Sequence, residues 1–465
     1  MKPLDRTRAN PEVEGDMAVL DNSMARAMDV PDSAVAVARN EDEVVAWSPF
    51  RRVAFRFAFS YLALYLFSRY LELLEVLSNS SAVASWYEKP WAVFVSWIGK
   101  HLFHVDAPAQ ATGSGDSMFS WLQVLCMLTI SLVATLVWTL LDRRRTQYAR
   151  LYASLKVFVQ VGLGLILIEY GGLKVVPSQF PRPSLSRLLQ PFGDASPMGL
   201  MWTFMGASVP YTIFAGLSEL VAGLLLLFRR TSTLGALVAI PVLTNVVMLN
   251  LCYDVPVKLF SLHLLAMAGF LAVPELGRLA NLLVLHRSVA PAADRPFFRR
   301  RRWQIAAQVV EVALAAGCTA FFLHMGYAQI KEFYDTSNAP LYGVWNVDDL
   351  KIDGRARDAH AEEGLQWRRL VFDYPTVMAV QLTSDSRRRY GLKLDAAHKT
   401  LALTRRDDAK WKSALAYGQP AADRLTLDGM FDGHRIQASL HRTDSSKFPL
   451  VSRGFHWVSE YPFNR

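Results

Sequence analysis

Apolar residues gather in about seven long stretches, roughly 53–77, 118–141, 151–170, 208–228, 233–251, 258–280 and 303–325. A polar region of about 135 residues follows the last of them. A run of about 20 apolar residues is what a bilayer-embedded helix needs, because its backbone N–H and C=O groups must all be satisfied within the segment. The pattern predicts an α-helical membrane bundle of about seven transmembrane helices, followed by a mainly-β soluble domain, a sandwich or small barrel. Strand-like alternation runs through Leu370–Tyr374, Val377–Leu382, Tyr390–Leu394, Leu401–Leu403, Leu425–Leu427 and Ile436–Leu440. Asp428-Gly429 and Asp432-Gly433 read as turns between such runs. The expected domains are a disordered tail over residues 1–50, a helical domain over 51–328 and a β-rich domain over 329–465.

Charge refines this layout. The net charge of +9 falls largely in basic clusters beside apolar stretches: Arg51-Arg52, Arg143-Arg144-Arg145, Arg229-Arg230 and Arg299 to Arg302. Such clusters set topology and argue against nucleic acid as a partner. If the stretches cross alternately, every strong cluster falls on one side. The expected orientation therefore has a cytoplasmic N-terminus and an extracytoplasmic C-terminal domain. Residues 1–50 are polar and lack the apolar core of a cleavable signal peptide, so they read as a cytoplasmic tail. Of the two long outside loops, 78–117 carries Trp86, Tyr87, Trp91, Trp97 and His101. Its residues 86–104 fit an amphipathic helix lying in the membrane interface. The other loop, 171–207, is rich in Pro and Gly.

The three cysteines, Cys126, Cys252 and Cys318, lie in or at the ends of apolar stretches, with no Cys-x-x-Cys. This argues against a disulfide framework, a zinc site or a dithiol redox centre, and in favour of buried free thiols. The chain also lacks a Gly-x-x-x-x-Gly-Lys phosphate loop, a His-Glu-x-x-His and a Gly-x-Ser-x-Gly elbow.

Ionisable groups in an apolar stretch are costly and need a reason. Glu219 lies about 11 residues into the fourth stretch, near the midplane at about 1.5 Å per residue. It is either a proton relay or ligand contact, or an interhelical hydrogen-bond partner. A second group gathers at the outside ends of the stretches: Glu169, Tyr170 and Lys174, then Asn245, Asn250, Tyr253, Asp254, Lys258 and His263 around a short turn at Pro256. Two readings stand, a substrate pocket and a set of salt bridges capping the turn. In the pocket reading, Tyr170, Lys174, Asn245, Asn250, Tyr253 and Lys258 bind ligand. Asp254, His263 and Glu219 handle protons. No metal site is expected.

Several motifs carry family resemblances. Tyr170-Gly171-Gly172-Leu173-Lys174 closes one stretch, and Glu219-Leu220-Val221-Ala222-Gly223-Leu224 lies in the next, with Arg229-Arg230 after it. Asn250-Leu251-Cys252-Tyr253-Asp254-Val255-Pro256-Val257-Lys258 joins the following pair. Over about residues 150–285 the chain resembles the DoxX-like integral membrane proteins, with Lys174 and Glu219 at the family's lysine and glutamate positions. The resemblance implies a four-helix membrane core, a bacterial cytoplasmic membrane, and a link to redox metabolism with a quinone as a candidate cofactor. The wider superfamily includes the membrane domain of vitamin-K-dependent carboxylases, a likeness of architecture alone. Gly113-Ser114-Gly115-Asp116 with Tyr253-Asp254 resembles the aspartate pair of intramembrane aspartyl proteases, in reversed order and with Asp116 in a loop. Gly343-Val344-Trp345 with Arg453 resembles the lipocalin pattern of a Gly-x-Trp strand closed by an arginine; the alternative is an ordinary core tryptophan.

These observations lead to a DoxX-like membrane protein with a quinone or lipid-like small molecule in the outer half of its bundle. The alternative is a non-enzymatic scaffold whose β domain binds a protein partner or a lipid outside the cytoplasm. The partners expected are the lipid bilayer, a small apolar molecule and an extracytoplasmic protein.

Overall fold

The computed structural model describes residues 46–464, apart from 79, 81, 111, 291–299, 337–338, 359–361, 409 and 445–447. Residues 1–45 of the expected tail lie outside the described residues.

The helical region begins with α1 (Pro49–Ser78), α2 (Ala82–Ile98), α3 (Met118–Leu141) and α4 (Ala149–Val175). Two short helices follow, α5 (Leu185–Leu188) and α6 (Pro197–Ala207), and then α7 (Val209–Leu227) and α8 (Ser232–Cys252). α9 (Lys258–Ala272) continues through a tight turn into α10 (Leu276–Leu283), and α11 (Arg301–Gln329) closes the region. Among the described residues, six helical stretches are long and apolar enough to cross a membrane: 118–141, 149–175, 209–227, 232–252, 258–283 and 301–334. This corrects the expected count of about seven. α1 has the length, at 30 residues, but Arg51, Arg52, Arg56, Arg69, Glu72 and Glu75 lower its apolarity.

α4 is the centre of the region, with 56% of its most apolar window buried against 22% for α3 and 17% for α11. Its buried face carries Gly164 and Gly171, and the facing side of α7 carries Gly216 and Gly223. A Cβ on Gly171 would come within 2.6 Å of Leu220 N, and one on Gly216 within 2.7 Å of Lys174 Cβ. Small residues one heptad apart on both helices let the backbones approach that closely.

The N-terminal end of α1 is pinned to the end of α3 by a buried arginine. Arg56 donates to the Tyr148 hydroxyl at 3.0 and 2.6 Å, to Thr139 Oγ1 at 2.9 Å and to the Asp142 carbonyl at 2.8 Å. Trp47, Phe55, Trp138, Tyr148 and Tyr152 pack around it edge to face and stacked. The helix expected over 86–104 is present as α2 and the wider turn at Gly99–Phe103. Cys126 and Cys318 are buried free thiols, whereas Cys252 is exposed, because it faces outward at the end of α8.

The C-terminal region is an antiparallel barrel of eight strands: β1 (Gly343–Ile352), β3 (Trp367–Tyr374), β4 (Val377–Leu382), β5 (Arg387–Asp395), β6 (Thr400–Thr404), β7 (Lys412–Ala421), β8 (Arg424–Phe431) and β9 (His434–Thr443). β2 (Arg355–Ala356) is a two-residue flap on β1. Pairing of β1 with β9, from Val344 opposite Thr443 to Ile352 opposite Ile436, closes the barrel. Trp345, Trp367, Phe372, Met378, Tyr390 and Phe431 fill its interior with aliphatic neighbours, as eight strands leave just enough room for side chains.

Three sequence expectations are corrected here. Asp428-Gly429 lies inside β8, whereas Asp432-Gly433 makes the β8–β9 turn with φ of 50° and 84°. β7 was not among the expected runs, since Gly418 and Pro420 interrupt its alternation. Arg453 lies over Phe463, and the arginine over Trp345 is Arg442, 5.9 Å from the ring centroid.

The segment 171–207 is more ordered than a loop. It holds α5 and α6, and it joins the helical region to the barrel's outer wall. Leu185 packs on Val344, Val371 and Ala379. Ser186 N donates to both Asp373 oxygens at 3.1 and 3.2 Å, and Arg387 donates to the Ser186 carbonyl.

Candidate functional site

The glycine seam between α4 and α7 decides where the first candidate residues meet. Gly216 admits Lys174 against α7, and Glu219 is one turn further along the same helix. Lys174 Nζ donates to Glu219 Oε2 at 2.5 Å, with side chains only 8% and 5% exposed. The ammonium also stands 5.6 Å from the centroid of the Tyr170 ring. Tyr170, Lys174 and Glu219 therefore form one cluster, in which each charge neutralises the other.

On the other side of Tyr170 a cleft opens between α1 and α4. Its cavity volume is about 110 Å³, and its mouth is open. Its walls are apolar, built from Leu66, Leu73, Val76, Leu165, Ile166 and Phe260. Its polar groups are Arg69, Tyr70, Glu72, Glu169 and Tyr170. Arg69 pairs with Glu72 and lies 4.5 Å from the centroid of the Phe260 ring. The Tyr70 hydroxyl is committed to the Phe158 carbonyl at 2.8 Å. The cleft lining carries one guanidinium, already paired with Glu72, and a second carboxyl on Glu169. That balance favours a neutral head group that accepts hydrogen bonds and protons over an anionic one.

His263 belongs to the α1 side. Its Nδ1 is 2.6 Å from the Leu259 carbonyl, which can only accept, so Nδ1 carries the proton. Nε2, 2.5 Å from the Tyr61 hydroxyl, is then the acceptor. The Tyr65 ring stacks on the imidazole at 4.1 Å. Tyr61, His263, Tyr65 and Arg69 thus continue the polar groups of the cleft along α1.

Asp254 and Lys258 form a separate group at the α8–α9 turn. Asp254, at φ 49° and with its side chain 82% exposed, pairs with Lys258 Nζ at 2.8 Å. Asp116 caps α9, accepting from Lys258 N at 2.8 Å and Leu259 N at 2.9 Å, and it also lies 3.8 Å from Lys258 Nζ. A cation between the two aspartates is the reverse of the shared proton that an aspartyl protease needs. This turn matches the structural cap that the sequence offered as one of its two readings.

The remaining candidates scatter. Tyr253 packs with Phe180, Met201 and Val255 under α6. Asn245 points out of the bundle from the exposed face of α8. Asn250 is buried, its Nδ2 without a hydrogen-bond partner among the described residues.

Arg69 and Glu72 were missed by sequence reasoning, although an ionisable residue inside an apolar stretch is the signal that singled out Glu219. Among the described residues no group of three metal-ligating side chains comes together.

No family model matches the chain, and no solved structure matches it. The uncharacterized protein YwoB of Bacillus subtilis (strain 168) is 37% identical over 116 residues, which cover 24% of this chain and 72% of that protein. The chain belongs to the same family as YwoB.

Proposed function

We propose that this member of the YwoB family is a multi-pass membrane protein that holds a quinone or similar lipid-like molecule in the cleft between α1 and α4, in service of redox metabolism. The observation that carries this reading is the cleft itself, apolar along its walls and polar at Arg69, Glu72, Glu169 and Tyr170. A quinone needs this combination: an apolar slot for ring and tail, a donor for its carbonyl oxygen, and carboxylates to exchange protons on reduction. In this reading Arg69 and Tyr170 donate to the carbonyl, and Glu72 and Glu169 handle protons. Lys174 and Glu219 act as positioning residues that hold Tyr170 in the wall. The DoxX-like resemblance around Lys174 and Glu219 supports the same reading. The filled barrel interior counts against a lipid carried there.

α1 is not among the six helices apolar enough to cross by themselves, and we propose that it lies alongside α3. A 30-residue helix spans about 45 Å. Arg56 and Arg52 tie its start to Asp142 and Arg145 at the end of α3, so the two helices run antiparallel over the same depth. With Arg51-Arg52, Arg143 to Arg145 and Arg229-Arg230 on one side, the N-terminus is cytoplasmic and the barrel extracytoplasmic. In a bacterium this membrane would be the cytoplasmic one.

The test is mass spectrometry of small molecules that co-purify with the protein in mild detergent. Wild type is compared with Arg69→Gln, Glu169→Gln and Lys174→Ala. A quinone kept by wild type and lost from the two cleft variants supports the assignment. Equal retention across the set, or no isoprenoid ligand in any sample, refutes it and leaves the scaffold reading.

A further inference from the structure

A second cavity has the opposite electrostatic character. A groove of about 620 Å³ runs between the Pro181–Arg187 segment, α6 and the outer wall of β3 to β6. Five arginines line it: Arg182, Arg187, Arg389, Arg405 and Arg406. The carboxylate among its lining residues, Asp373, is already engaged by Ser186 N. Two of the arginines are also committed. Arg405 Nη2 donates to both Asp432 carboxylate oxygens at 2.7 and 2.6 Å, and Arg187 donates to Gln190. Arg182, Arg389 and Arg406 are exposed, and their guanidiniums make no hydrogen bond or ion pair with another described residue.

Crowding of like charge is felt next to the groove. Burial first, and then the neighbouring Arg389 and Arg187, push the Arg387 guanidinium below its ordinary range. Repulsion of this kind is relieved by a bound anion.

Position narrows the anion further. Trp202, on α6, forms part of the wall and packs on Phe180 at 5.0 Å. α6 leads directly into α7, one of the six helices apolar enough to cross a membrane. Phe204, Tyr211 and Phe214 are exposed just beside it, as aromatic residues are at a membrane interface. The uncommitted guanidiniums therefore face the level at which lipid head groups would lie.

We propose that this groove binds a phosphate group through Arg182, Arg389 and Arg406, with an anionic phospholipid head group as one source and a soluble phosphate ester as the other. The site is independent of the cleft between α1 and α4.

The full-length protein, purified in detergent, is titrated with phosphatidylglycerol or phosphatidylcholine and read by native mass spectrometry. Its thermal unfolding is followed in parallel with inorganic phosphate or glycerol phosphate. The Arg182→Gln/Arg389→Gln/Arg406→Gln variant is compared with Arg435→Gln, a charge loss elsewhere on the barrel. Wild type should prefer phosphatidylglycerol, and the triple variant should lose that preference by tenfold or more, at roughly fivefold per arginine near an anionic head group. Arg435→Gln should keep it. Stabilisation by glycerol phosphate without lipid preference, lost in the triple variant, assigns the soluble source. Equal retention of both lipids by wild type, with no stabilisation by either phosphate, overturns the proposal whatever the variant does.

Discussion

Lys174 and Glu219 meet at 2.5 Å across a close helix contact, where Gly171 and Gly216 leave no room for a side chain. Both charges are buried, so each is the main compensation for the other's desolvation. The pair therefore behaves as a unit. Replacing Lys174 by Met, or Glu219 by Leu, strands one charge and should cost about 3–5 kcal/mol. The double replacement should recover most of that loss. Thermal unfolding in detergent for the four proteins checks this; additive losses would show that the pair is not coupled.

Arg56 is the matching case at the other end of α1. Arg56→Met leaves the Tyr148 hydroxyl, Thr139 and the Asp142 carbonyl without their donor. A loss of about 2–4 kcal/mol is expected, larger than for Tyr148→Phe, since hydrogen bonds to a charged group are worth about 1.5–3 kcal/mol each. A ranking of Tyr148→Phe as the worse variant would contradict this.

The glycine seam predicts a sharp contrast between two glycines. A Cβ at Gly216 meets Lys174 Cβ and Val175 N at 2.7 Å, whereas a Cβ at Gly269 on α9 meets nothing within 4 Å. Gly216→Leu should separate α4 from α7 and lower stability by about 1–3 kcal/mol or more. Gly269→Ala should be neutral or stabilise by up to about 1 kcal/mol through helix propensity. Unfolding midpoints of the two variants against wild type decide it.

The turn between β8 and β9 carries a pH-dependent contact. Asp353 accepts from His434 Nδ1 at 2.7 Å and from Arg435 N at 2.9 Å. The contact raises the His434 imidazole above its ordinary range and lowers the Asp353 carboxyl below its own, the hydrogen bond being the largest cause for each. A raised histidine contributes stability at low pH that is lost as pH rises through its folded value. A lowered aspartate contributes stability that is lost as pH falls through its folded value. The contact is therefore fully formed between the ordinary aspartate and histidine ranges and weakens on both sides. Imidazole chemical shifts should titrate above free histidine, and Asp353→Asn should return them to it; an unchanged titration would remove the contact from the account.

Much of the helical region was legible from apolar run length alone, because length and apolarity are what a bilayer demands. The pairing inside it was not. Lys174 and Glu219 are 45 residues apart in sequence, and only the shared glycine spacing hints that they face each other. Arg56 and Arg69 were hidden by the same reading that found α1, since a span is identified by ignoring its few charges. In the barrel, period-two alternation located most strands. Closure by β1 and β9 was not visible, because β1 loses its alternation at the bulge between Val347 and Asp349. The Asp-Gly signal held at Asp432 and misled at Asp428, where Gly429 lets the β8 backbone approach Ala414 instead of turning.

The β1–β9 seam also orders events in time. β1 leaves the ribosome first among the strands and pairs early with β3, Val344 opposite Val371, yet its other edge finds a partner only at Thr443. Such distant pairing is slow, because a long stretch of chain must be ordered before the contact forms. The helices can therefore be seated while the ribosome is still at work, but the barrel has two raw edges until almost all of it has been made. A ribosome that stalls before His434 would leave β1 and β8 as open templates for another chain.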